Sequence, residues 1–185
     1  MLENINSMEL SPGDILSDSW ILYKKHAKTI FRIVLIVYIP INILSAFIPI
    51  NIVMEHKIYE VIIDIVEGLF GILATMGIAF VIESSIKGQD ISYQDALKRS
   101  SSRWLSGVWT QFLSGIIISC LLLLLIVPGI IWTVNYTFSI YIVALRNTEG
   151  KEALDYSKSL AKNRWWKVFG ISILFGLMNG FVNTA

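Results

Sequence analysis

Residues Thr148 to Phe169 read TEGKEALDYSKSLAKNRWWKVF. A charged, amphipathic segment runs into the doublet Trp165-Trp166 and then into apolar sequence. The same pattern precedes two earlier hydrophobic stretches. Asp14-Ile15-Leu16-Ser17-Asp18-Ser19 and Asp95-Ala96-Leu97-Lys98-Arg99-Ser100 both match Glu152-Ala153-Leu154-Asp155-Tyr156-Ser157. Each is an acid, a small or apolar residue, a leucine, two polar-type positions and a serine. The first and third copies stay in register further on, with Leu22, Lys24 and Phe31 matching Leu160, Lys162 and Phe169. The second is about one helical turn shorter before Arg103-Trp104, which parallels Arg164-Trp165. Self-similarity of this kind defines an internal repeat, with units over about 11–86 and 92–147 and a partial one over 149–185.

The repeated segments have helical periodicity. Ile15, Leu16, Ser19, Leu22 and Tyr23 fall on one face, and Ala153, Leu154, Ser157, Leu160 and Ala161 reproduce it. Ser11-Pro12-Gly13-Asp14 is a helix-start signal, with serine as the cap, proline in the first position and an acid at the third. Ser92 stands in the same relation to Asp95, where a carboxylate meets free amides and the positive end of the helix dipole. Lysines on the polar face suit a helix lying in a membrane interface. A short connecting helix packed on a bundle of spans has the same composition, and both readings stand at this level.

Hydrophobic residues make up 55% of the 185 residues, and the mean hydropathy is +0.64. Those values belong to a membrane protein rather than to a soluble domain. The net charge of +1 gives no bulk attraction to nucleic acid. A lone cysteine, Cys120, excludes an internal disulfide and a cysteine-based metal site. The N-terminus is polar and acidic up to about Asp18, unlike a signal peptide, so the first span is expected to be retained.

Five apolar stretches are long enough to be read as spans at 1.5 Å of rise per residue. They cover roughly Thr29 to Ile50, Val61 to Ile86, Leu105 to Val127, Ile130 to Leu145, and Trp165 to Val182. Arg32 lies near the start of the first, Pro40 within it as an expected kink, and Pro49 near its exit. Gly68, Gly71 and Gly77 would let a neighbour approach the second closely, and Gly176 to Gly180 forms a G-x-x-x-G. Every Lys and Arg except Lys57 then falls on one side, which is cytoplasmic by the positive-inside rule. The N-terminus is therefore expected in the cytoplasm and the protein in the cell membrane. Since the third repeat holds a single span, a sixth is expected beyond Ala185. The fold class is all-α: a polytopic transmembrane helix bundle with three amphipathic interfacial helices in an internal repeat.

Pro128-Gly129-Ile130, an aromatic-rich span, Ala153-Leu154-x-x-Ser157 and Lys162-Asn163-Arg164-Trp165-Trp166 together carry a resemblance. The pattern resembles an uncharacterised multi-pass family related to the membrane domain attached to some bacterial glycerophosphodiester phosphodiesterases. That resemblance covers about Ile126 to Phe169, with a weaker copy over Asp95 to Trp104. It implies six spans. Asn147-Thr148 departs from it, standing where members often carry an acid before the helix. No phosphodiesterase domain is present in this sequence, so the enzymatic name does not transfer.

Catalytic motifs are lacking. His26 and His56 are the two histidines, and the span order puts them on opposite sides. There is no phosphate-binding glycine loop and no zinc spacing. The expectation is a non-enzyme without cofactor or metal. Lys158, Lys162, Arg164, Lys167 and Arg103 are candidates for contact with lipid headgroups, and Trp104, Trp165 and Trp166 for interface anchors. Asp64 and Glu67, three apart on one face, with Gln111 and Asn135 inside later spans, are the candidates for a polar pathway. Structural readings of these four are end-capping for the acids and interhelical hydrogen bonds for the amides. Glu83 is placed to pair with Lys87, Arg99 or Arg103. Two functions follow: a non-catalytic scaffold, assembly or membrane-organising protein, or else a transporter or channel subunit. The partners expected are the bilayer, anionic lipid headgroups, and other membrane proteins or further copies of this chain; nucleic acid is not among them.

Overall fold

The computed structural model describes residues 12–47 and 57–184. Ser11, Pro49, Glu55 and His56 lie outside the described residues. Among the described residues the secondary structure is helical, without a strand. The elements in order are α1 (Pro12–Ala46), α2 (Lys57–Ile86), α3 (Tyr93–Leu124), α4 (Ile126–Tyr136), α5 (Ser139–Arg146), α6 (Gly150–Lys162) and α7 (Trp165–Thr184).

Four stretches are long and apolar enough to cross a bilayer: Ile15–Ala46, Lys57–Ile86, Tyr93–Leu124 and Ile126–Arg146. The apolar part of α7, Trp165–Gly176, is shorter. Burial follows membrane logic. Leu123 and Phe47 are 87% and 83% exposed, whereas Ala96, Ser100, Ala153, Ser157 and Ala161 are fully buried. Large apolar side chains face outward, and small residues let the backbones approach, as expected where lipid is as apolar as leucine. This is an all-α membrane protein.

Three boundaries differ from the sequence reading. The first two amphipathic segments are not separate interfacial helices: α1 and α3 run without interruption into the apolar stretches that follow. No proline stands at either junction, so the helix propagates once started. α1 also continues through Pro40, where the Asn42 Nδ2 donates to the Tyr38 carbonyl at 2.9 Å. The fourth span, by contrast, is broken at Thr137 and Phe138 into α4 and α5.

The chain forms two compact units. One runs from Trp20 to Val108 and holds most of α1, all of α2 and the first half of α3. Here His26 Nε2 lies 2.7 Å from Ser85 Oγ, which sets the early part of α1 beside the end of α2. Gly88, at φ 71°, turns the chain out of α2, and the Gln89 amide closes back on the Ser84 carbonyl at 2.8 Å. Ser92 then caps α3, its Oγ accepting from the Asp95 amide at 3.1 Å. The first half of α3 runs antiparallel along α2. Ser100 lies against Gly77, and the Trp104 indole donates to the Leu69 carbonyl at 2.7 Å. Gly71 faces the Tyr38 hydroxyl, whereas Gly68, expected to do the same, faces open space. Glu83 pairs with Lys87 at 2.6 Å, which selects one of its three expected partners.

The other unit holds the chain from Trp109 onward with the start of α1 up to Ser19. Leu125, in extended conformation, separates α3 from α4. The turn is tight: a Cβ on Gly129 would lie 2.5 Å from Leu122 Cγ and 3.0 Å from its Cα. α5 ends on Asn147 in the left-handed conformation (φ 55°), which asparagine tolerates better than most residues. That conformation is a local reason for an asparagine at this point. Gly150, also left-handed, starts α6, and its amide donates to Thr110 Oγ1 on α3 at 2.8 Å. α6 then runs back along both α5 and α4.

Candidate lipid-headgroup site

The return of α6 along α4 and α5 is locked at the helix break. Ser157, fully buried, donates its hydroxyl to the Asn135 carbonyl at 2.6 Å and accepts the Phe138 amide at 3.2 Å. A single side chain thus serves two backbone groups at the discontinuity, which would be costly to leave unpaired in apolar surroundings. Above this lock, Lys158 sits over the Trp132 ring at 4.5 Å. Below it, the Arg146 guanidinium sits over Tyr156 at 4.9 Å.

At the far end of α6, Asn163 and Arg164 form a turn, with the Arg164 amide on the Ala161 carbonyl at 3.0 Å. α7 starts immediately after. Trp165 stacks on Phe169 with centroids 5.0 Å apart and meets Trp166 edge-on at 4.9 Å. Its indole also points to the Ile131 carbonyl, at 3.5 Å. The result is an open cleft of about 740 Å³. Val127, Ile130 and Ile131 of the α4 end form an apolar wall, and Lys162 through Lys167 form the other side. Its volume is in the range of small-ligand sites, about 300–1,000 Å³. Arg164 and Lys167 also line a second cavity, of about 330 Å³, with Thr137, Phe138 and Val168.

Of the headgroup candidates, the fold brings Lys162, Arg164 and Lys167 together in the cleft. Lys158 is on the same helix but not in the cleft lining; it is held over Trp132. Arg103 belongs to the other unit and is half-buried. It adjoins Trp104, whose partner Leu69 lies about 25 Å along α2 from the end near Lys87, at 1.5 Å per residue. The single-sided placement of cations also changes. Lys162, Arg164 and Lys167 reach the Ile130 end of the fourth span, whereas Arg146 marks its other end. The reason is that α6 packs lengthwise on that span instead of lying flat beside Arg146.

The polar-pathway candidates divide between the units. Asp64 is exposed and Glu67 half-buried on α2, while Gln111 is half-buried and Asn135 buried in the other unit. Asn135 contributes its carbonyl to the Ser157 lock. Ser139 Oγ, next to the break, is buried without a hydrogen-bond partner among the described residues. No group of three or more metal-ligating side chains occurs among the described residues. Ser100 and Ser157 are buried at close helix approaches as expected of the repeat serines, but Ser19 is exposed.

The apolar wall and the Ser157 lock were not read from the sequence. The aligned doublets Arg103-Trp104 and Arg164-Trp165 carried a usable signal, because both indoles turn out to face a carbonyl of the preceding span. No family model matches the chain, and no curated protein or solved structure matches it either.

Proposed function

We propose that this chain is a non-catalytic integral membrane protein that organises or assembles membrane components while engaging anionic lipid. The observation that carries the reading is the cleft where Lys162, Arg164 and Lys167 meet the apolar wall of Val127, Ile130 and Ile131. Cations beside an apolar surface at the end of a span suit an anionic amphiphile, and each contributes about 1 kcal/mol near a negative membrane surface. The closure of the helix break by Ser157 supports a structural use of the polar groups there. In this reading the protein sits in the cell membrane with its N-terminus in the cytoplasm. Lys24, Lys25, Lys28 and Lys87 support that side, since His26 and Ser85 bring those stretches together. A single cysteine at Gly88 in a Cys120→Ser background is expected to escape an impermeant maleimide in intact cells; labelling would reverse the orientation. Kinship with the phosphodiesterase-associated membrane domains belongs to the same proposal and rests on the motif residues from Pro128 to Trp166.

The second reading, a transporter or channel subunit, is favoured by the break at Thr137 and Phe138 beside buried Asn135 and Ser139. Discontinuous helices form binding sites in many carriers. Proteoliposomes separate the two. The organising reading expects anionic lipid to be enriched around the protein, with no solute flux above that of empty vesicles. Selective flux that disappears in Asn135→Leu would overturn it in favour of transport.

A further inference from the structure

We infer that the cleft between α4 and the α6–α7 turn is a discrete binding site for one anionic diacyl phospholipid. The inference rests on the anionic-lipid reading above and adds a stoichiometric ligand to it. Three features define the occupant. Lys162, Arg164 and Lys167 border one cavity, so its charge complement is an anion. Arginine offers a planar fork suited to phosphate oxygens, and lysine adds a mobile point charge. The first turn of α7 forms part of the same rim, and its dipole adds positive potential.

The opposite wall excludes a purely polar ligand. Ile130 and Ile131 are 41% and 40% exposed and Val127 is 67% exposed, all on the cleft. An inorganic phosphate would leave that wall bare, whereas an acyl chain would cover it. Trp166, 77% exposed on the same rim, is an amphipathic ring suited to the level between headgroup and chain. The site therefore takes a phosphate and a hydrocarbon chain from one molecule. The charge complement does not specify what is esterified beyond the phosphate. Selection is by net negative charge and an attached chain.

Lys158 provides an internal contrast. It precedes Lys162 by one turn of α6, yet lies over Trp132 outside the cleft lining. Simple attraction of a basic surface would count it equally; a discrete site would not.

The test is native mass spectrometry of the full chain in mild detergent, titrated with phosphatidylglycerol, phosphatidylcholine or glycerol 3-phosphate. One saturable phosphatidylglycerol per chain is expected, with phosphatidylcholine and glycerol 3-phosphate failing to displace it. Arg164→Gln with Lys167→Gln should weaken retention about thirtyfold, from roughly fivefold per cation. Ile130→Trp, which fills the apolar wall and keeps every charge, should weaken it by about tenfold, the scale of a methylene-sized misfit in an apolar pocket. Lys158→Gln should leave it unchanged, and thermal melting confirms that each variant is folded. Equal losses in Lys158→Gln and the double variant, or no loss in Ile130→Trp, would overturn the discrete site and leave only surface attraction. Competition by glycerol 3-phosphate would identify a free-phosphate site and equally overturn the proposal. Solute flux in proteoliposomes would sink the organising reading without altering this titration, so the two failures are distinguishable.

Discussion

In the unit from Trp20 to Val108, the buried repeat serine keeps its hydroxyl bond inside its own helix: Ser100 donates to the Ala96 carbonyl at 2.8 Å. In the other unit the equivalent Ser157 reaches across to a neighbouring span and holds the broken ends of α4 and α5. The indoles differ the other way. Trp104 makes a short bond to Leu69, whereas Trp165 is 3.5 Å from Ile131. Both units thus clasp a span with the amphipathic segment that follows it, using one serine and one tryptophan. They differ in which side chain does the holding. An intact helix such as α2 has its backbone satisfied and asks only for close approach, which Gly77 allows. A broken one needs a polar partner at the break.

That contrast can be broken by substitution, with stability read from equilibrium unfolding in mixed detergent. Gly129→Ala should have the largest effect, a loss of about 3 kcal/mol, because the new Cβ meets Leu122 including its backbone. Gly77→Ala should stay within about 1 kcal/mol of the parent, since its Cβ would reach Ile33 and Ser100 at 3.4 Å and alanine favours helix. A similar cost at both glycines would mean that the two units are packed alike.

Ser157→Ala should cost about 2 kcal/mol, by leaving the Asn135 carbonyl and Phe138 amide without their partner. Ser100→Ala should change stability by less than about 0.5 kcal/mol, because the Ala96 carbonyl belongs to a helix that persists without the hydroxyl. If Ser100→Ala proved the costlier, the lock would not be the distinguishing feature. The smallest effects concern the indoles. Trp104→Phe should lose about 1 kcal/mol and Trp165→Phe only a few tenths, following the lengths and exposure of their bonds. The same measurement checks the order; reversed values would place the stronger clasp in the C-terminal unit.

Much of this was legible in the residues. Apolar length marks the spans because hydrocarbon admits few other backbones. The aligned Glu152-Ala153-Leu154 and Asp95-Ala96-Leu97 segments mark the amphipathic faces, and the cap at Ser92 is a local signal read locally. The cleft was legible in half. Its cations lie within six residues of one another in the sequence, but Val127, Ile130 and Ile131 come from more than thirty residues earlier and carry no sign of being a wall.

Periodicity, charge and hydropathy alone determined that this is an all-α membrane protein with repeated amphipathic segments, because those properties depend on neighbours along the chain. The phase of the packing was decided by tertiary structure. In sequence each amphipathic segment leads the span after it; in space the second and third lie along the span before them, Ser100 on α2 and Ser157 on α4 and α5. Nothing local distinguishes the two arrangements, since the same small face can be buried against either neighbour. The choice falls to long-range contacts: a glycine or a helix break on one helix, and a serine at the matching height on another.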